Sequence, residues 1–89
     1  MATYIYEGKL EQVEGDWLVF FPQFEGTFGG GGSIREASEN AAEALRLRIA
    51  SIVDEGGPIP RARFSNPLQV VFAVEVDERY IRSTRVASA

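Results

Sequence analysis

Residues 33–58 read SIREASENAAEALRLRIASIVDEGGP, and the fold turns on how they are read. Ser33 followed three residues later by Glu36 makes a capping box, which satisfies backbone donors orphaned at a helix start. Ile34, Ala37, Ala41, Leu45, Ile49 and Ile52 then recur at helical spacing and fall on one face. Gly56 stands where a helix-ending glycine belongs, and Pro58 follows where the helix cannot continue. The stretch predicts one long helix over residues 33–54 with an apolar stripe to bury. Leu47 is its anomaly, because it points away from the stripe toward the side carrying Glu36 and Glu43.

Upstream, residues 3–13 (TYIYEGKLEQV) favour a strand with a bulge or bend at Gly8. Glu14-Gly15-Asp16 supplies a tight turn, and WLVFF at 17–21 a second strand that Pro22 ends. Thr27 and Phe28 begin a third short strand. Gly29 to Gly32 read as a flexible link before the helix. Downstream, residues 57–67 form an irregular segment pinned by three prolines. LQVVFAVEV at 68–76 alternates, with Leu68, Val70, Phe72, Val74 and Val76 on one face. Asp77 is placed to cap a last short helix over 78–82, followed by a loose tail. The expectation is an α+β domain over residues 1–76, in the order β-β-β-α-β. It is a small three- to four-stranded antiparallel sheet with one long helix on one face, and residues 77–89 form an appendage. One helix leaves the second sheet face bare. Val19, Phe21, Val71 and Ala73 are read onto that face, and Leu47, Val71 and Ala73 become the expected contact in a homodimer or tetramer.

The chain has 89 residues, 45% of them hydrophobic and 11% aromatic, which suits one folded domain. It contains no cysteine and no histidine, so disulfides, thiolate nucleophiles and the usual general base are excluded. The net charge is −4, from 13 acidic and 9 basic residues, and Lys9 is the single lysine. An acidic domain gains little from nucleic acid and suits a basic protein partner. No apolar run reaches a membrane span, and Met1 to Tyr4 lack a signal-peptide pattern, so a cytoplasmic, bacterial protein is expected.

Three motifs invite chemistry and fall short of it. The glycine run lacks the lysine of a phosphate-binding loop. Glu7, Glu11, Glu14, Asp16 and Glu25 are scattered over both strand parities rather than converging on a cation, and Glu36, Glu39 and Glu43 read as a solvated helix face. Arg46, Arg48, Arg61 and Arg63 make at most a small basic patch near the helix end. Phe20, Phe21, Phe24 and Phe28 crowd the second strand and its loop, and aromatics in such a place divide between core and protein contact. No cofactor or metal is expected.

The order of these pieces resembles the HicB family of bacterial antitoxins. The matching residues are Gly15-Asp16-Trp17, Phe21-Pro22-Gln23, Glu25-Gly26, Gly32 to Ala37, Asn40-Ala41, Glu43-Ala44-Leu45, and Asp54 to Pro60. Gln23 and Glu25 replace the more usual acid and proline of the loop. The resemblance implies a partly degenerate RNase H-like fold without nuclease activity. It implies self-assembly and steric neutralisation of a small basic HicA-type mRNA-cleaving toxin. Phe24, Glu25 and Phe28 are the expected partner contacts. Only 13 residues follow Val76, too few for the DNA-binding segment that many such proteins carry, so a stand-alone short form is expected. An orphan oligomerisation module and a remnant metal-dependent nuclease are the alternatives.

Overall fold

The computed structural model describes residues 2–76. Strands β1 (Ala2–Val13), β2 (Asp16–Phe20) and β3 (Phe28–Gly31) precede helix α1 (Ile34–Glu55), and β4 (Val70–Val76) follows it. The strands form one antiparallel sheet in the order β3-β2-β1-β4. This is the expected β-β-β-α-β arrangement. The short helix expected after Asp77 lies outside the described residues.

The caps of α1 behave as their chemistry demands. The Ser33 hydroxyl accepts from the Glu36 amide at 3.1 Å, and the Glu36 carboxylate accepts from the Gly32 amide at 3.2 Å. Gly56 closes the helix in the left-handed region at φ 73°, where a glycine carries no steric penalty. Ala37, Ala41, Leu45, Ile49 and Ile52 are buried, whereas Ile34 at the first turn stays exposed.

β1 is bent in its pairing rather than in its ladder. Residues 2–8 pair with β4 and residues 9–13 pair with β2, each in unbroken register. There is no bulge at Gly8. Glycine is required there because a Cβ would stand 2.7 Å from the Phe72 ring and 2.9 Å from Val19 Cγ1. Glu14 (φ 50°) and Gly15 (φ 88°) form the two-residue turn into β2, both with positive φ as a primed hairpin turn needs.

The glycine run is a correction to the sequence reading. Gly29, Gly30 and Gly31 are not a flexible link; they are the body of β3, paired with Val19, Leu18 and Trp17. A Cβ on Gly29 would lie 2.6 Å from the Asn40 carbonyl carbon and overlap the Ala41 backbone, and one on Gly31 would meet Glu36 at 2.7 Å. The glycines let α1 lie directly on the strand, with Ala37 and Ala41 as the small residues opposite.

The core fills the space between α1 and one sheet face. Tyr6, Val19, Phe21, Phe72, Val74 and Val76 come from the sheet side, and Phe24 from the loop that follows Phe21. Val19 and Phe21 therefore lie on the helix side and not on the bare face expected for them. Phe21 meets Phe72 edge-on with centroids 5.1 Å apart, and Tyr6 meets Phe24 at 4.7 Å. Val71, Ala73 and Glu75 point the other way, as the alternation required.

Candidate functional site

The loop 21–27 carries the residues singled out as partner contacts. It is a compact knot of backbone hydrogen bonds. Phe24 donates to Phe21 at 2.9 Å, Thr27 to Phe24 at 3.0 Å and Phe21 to Thr27 at 3.3 Å. Gly26 takes φ 80° to close it. The knot turns Phe24 inward, where it is 3% exposed. Its side chain is therefore core and offers no surface to a partner, contrary to its expected role. Glu25 stands exposed at the tip. Phe28, in the first position of β3, is 55% exposed. The two outward residues of the trio are thus held by the inward one.

Phe28 does not stand alone. It pairs with half-buried Phe20 across the β2–β3 ladder, on the sheet face turned away from α1. At the other end of that face, Ile5 pairs with Ala73 and Glu7 with Val71. Ile5 and Val71 are each about half exposed. Two apolar clusters thus flank the face, one aromatic and one aliphatic. Leu47 is also exposed, but on the solvent side of α1. It and the pair Val71 and Ala73 lie on opposite outer surfaces of a two-layer fold, so no single two-fold contact covers all three.

Between the clusters lies the feature that sequence reasoning missed. Glu7 is a buried carboxylate on the face away from the helix, only 5% exposed. It accepts from the Ser65 amide at 2.7 Å, from the Ser65 hydroxyl at 2.7 and 2.8 Å, and from the Gln69 amide at 2.7 Å. Those backbone and hydroxyl donors, with Lys9 3.5 Å away, hold its pKa down to about 2. The carboxylate ties down the chain between α1 and β4. Gln69 reciprocates by accepting from the Leu10 amide at 3.0 Å, at a point where β4 no longer pairs with β1. Gln23 ties the same segment to the loop, donating to the Arg61 carbonyl and accepting from the Arg63 amide at 3.0 Å. Tyr6 donates to the Pro60 carbonyl. A depression of about 340 Å³ remains where these elements meet, lined by Lys9, Pro22, Gln23, Arg63, Phe64 and Ser65 as well as Glu7.

The carboxylates do not assemble. Among the described residues no three or more acidic side chains converge as metal ligands do. Arg35 pairs with Glu39 at 3.0 Å, and Arg46 pairs with Glu43. Arg46 is thereby tied to the acidic helix face, whereas Arg61 and Arg63 sit on the segment after α1. Arg48 lies near Gln23, Pro58 and Pro60, at the start of that segment. No helix among the described residues is long and apolar enough to cross a membrane.

No family model matches the chain. It is similar to a UPF0150 protein of Synechocystis sp. (strain ATCC 27184 / PCC 6803 / Kazusa), with 34% identity over 59 residues. That match spans 65% of this chain and 75% of the relative. Its fold is similar to that of a chain in a solved HicA3 and HicB3 toxin-antitoxin complex, with a TM-score of 0.60 and 24% identity. The likeness covers 83% of this chain and 99% of that one. At that identity it speaks to the fold.

Proposed function

The chain belongs to the UPF0150 family, a HicB-like family, and on that premise we propose that it is a non-catalytic antitoxin. The resemblance drawn from its loops and helix thus holds. The observation that carries the proposal is the fold shared, over nearly the whole of the other chain, with a component of a toxin-antitoxin complex.

In this reading the protein binds a small basic HicA-type toxin and blocks its RNA-binding site sterically. The net charge of −4 favours a basic partner. Glu25 and Phe28 make the contact, and Phe24 acts from within by fixing the knot that presents them. An exposed acid and an exposed aromatic near one end of the sheet suit such an interface. The absence of histidine and cysteine favours a binding role over a catalytic one. The partly degenerate RNase H-like ancestry and a cytoplasmic setting belong to the same proposal. Self-association uses the aliphatic cluster of Ile5, Val71 and Ala73, giving a dimer, and Leu47 on the far side serves any higher assembly.

Co-expression with a HicA-type toxin tests the reading. A complex of fixed ratio, with RNA cleavage suppressed, is expected. Phe28→Ala and Glu25→Lys should weaken it while the thermal transition stays in place. Recovery of self-assemblies alone, with the toxin still active, would overturn it in favour of an orphan oligomerisation module.

A further inference from the structure

The segment between α1 and β4 has no regular secondary structure, yet it is fastened along its length. Pro60 is held by Tyr6, Arg61 and Arg63 by Gln23, and Ser65 and Gln69 by Glu7. Ala62 packs against the core, so its neighbours Arg61 and Arg63 project outward on either side of it. The ion pairs of the described residues join Lys9 to Glu7, Arg35 to Glu39 and Arg46 to Glu43, and neither Arg61 nor Arg63 takes part in one. Phe64, between Arg63 and the anchored Ser65, is 52% exposed. An acidic protein therefore holds two unpaired guanidinium groups and a bare aromatic ring on a fixed strap, beside a depression of about 340 Å³.

The geometry points to a docking site for an acidic peptide segment, with Arg61 and Arg63 taking its carboxylates and Phe64 with Pro22 taking an adjacent apolar side chain. Glu7 does not oppose such a ligand, because its oxygens are already filled by Ser65 and Gln69 and its charge faces Lys9. Guanidinium groups suit carboxylates, since two parallel N–H donors match the two oxygens. The cavity falls at the small end of those that take discrete ligands. Anchoring matters here: Gln23 and Glu7 fix the backbone on both sides of Arg63, so ordering of the strap is not a cost of binding. A nucleic acid fits less well. Its affinity scales with the number of phosphates neutralised, and the two arginines of the strap, even with Arg48 near its start, neutralise few of them while the net charge of −4 repels the rest.

This site shares the loop 21–27 with Glu25 through Pro22 and Gln23, but it takes the opposite charge to the basic toxin proposed above. Its test uses different probes and different substitutions, so it fails separately from that proposal. The purified full chain is titrated, by fluorescence anisotropy, into three labelled probes. These are a short peptide alternating Glu and Phe, its Lys and Phe counterpart, and a short oligouridylate. We expect saturable binding of the Glu-Phe peptide only, weakening as salt rises. Arg63→Gln should weaken it about tenfold, the usual loss for one charge-assisted hydrogen-bonded pair. Phe64→Ala should weaken it at constant salt dependence, and Arg35→Gln should leave it unchanged. No binding of the acidic peptide, or binding indifferent to Arg61→Gln and Arg63→Gln, would overturn the inference. Equal or tighter binding of the oligouridylate would overturn it in favour of nucleic acid.

Discussion

Both faces of the sheet carry apolar side chains and use them differently. The face under α1 buries Tyr6, Val19, Phe72, Val74 and Val76 against a helix brought close by Gly29 and Gly31. The opposite face leaves Ile5, Val71 and Phe28 about half exposed and spends its one buried charge on holding a strap. Strand alternation alone assigns residues to faces; it does not say which face is core. That is decided by α1, the only element among the described residues long enough to cover one. α1 settles on the side where β3 has no side chains to hold it off.

The comparison can be broken most forcefully at Phe24. Phe24→Ala removes a ring from the core and should cost about 3–5 kcal/mol, measured as a fall in the denaturation midpoint. Near-wild-type stability would mean that the loop, and not the core, holds this ring. Gly29→Ala comes next. Its methyl group meets the α1 backbone, so about 1–3 kcal/mol should be lost as helix and strand move apart. The equivalent change at Gly30, whose Cβ would lie 3.6 Å from the nearest atom, should be tolerated. Equal costs at the two positions would refute the close approach of the helix.

Glu7 sharpens the contrast from the other face. Its folded pKa, about 2, lies below the ordinary value of 4.5. A carboxylate with a depressed pKa contributes stability that is fully present above 4.5 and lost as pH falls toward 2. Denaturant titrations across that window should fall more steeply for the native chain than for Glu7→Gln. Parallel slopes would mean that the strap does not depend on the ionised form. The smallest effect is expected at Val71→Ser, where stability should change by no more than about 0.5 kcal/mol. Light scattering should nevertheless report a shift toward monomer. An unchanged assembly would remove the aliphatic cluster from the self-contact.

The helix and its caps were legible because Ser33, Glu36 and Gly56 act within a few residues of one another. The alternation of β4 was legible for the same reason. The glycine run was misread because backbone freedom is equally suited to a mobile link and to a strand crowded by a helix. The small residues Ala37 and Ala41 on the facing helix were the available clue. Phe24 was misplaced because nothing in FPQFEGTF tells which aromatic the loop folds inward. Glu7 could not have been found from the sequence. Its partners Ser65 and Gln69 lie almost the whole described chain away, and no local pattern links them.

The divided pairing of β1 also sets an order in time. Its second half meets β2 across a two-residue turn, a local event open to the chain as soon as Phe20 has been made. Its first half must wait, because Ala2 to Gly8 pair with Val70 to Val76 at the far end of the described chain. Closing so long a loop is slow and entropically costly. During synthesis the hairpin can form and α1 can settle on it while half of the first strand stands unpaired, and β4 completes the sheet last. Fastening the strap through Glu7 then belongs to the final moments of folding, because Ser65 and Gln69 emerge just ahead of β4.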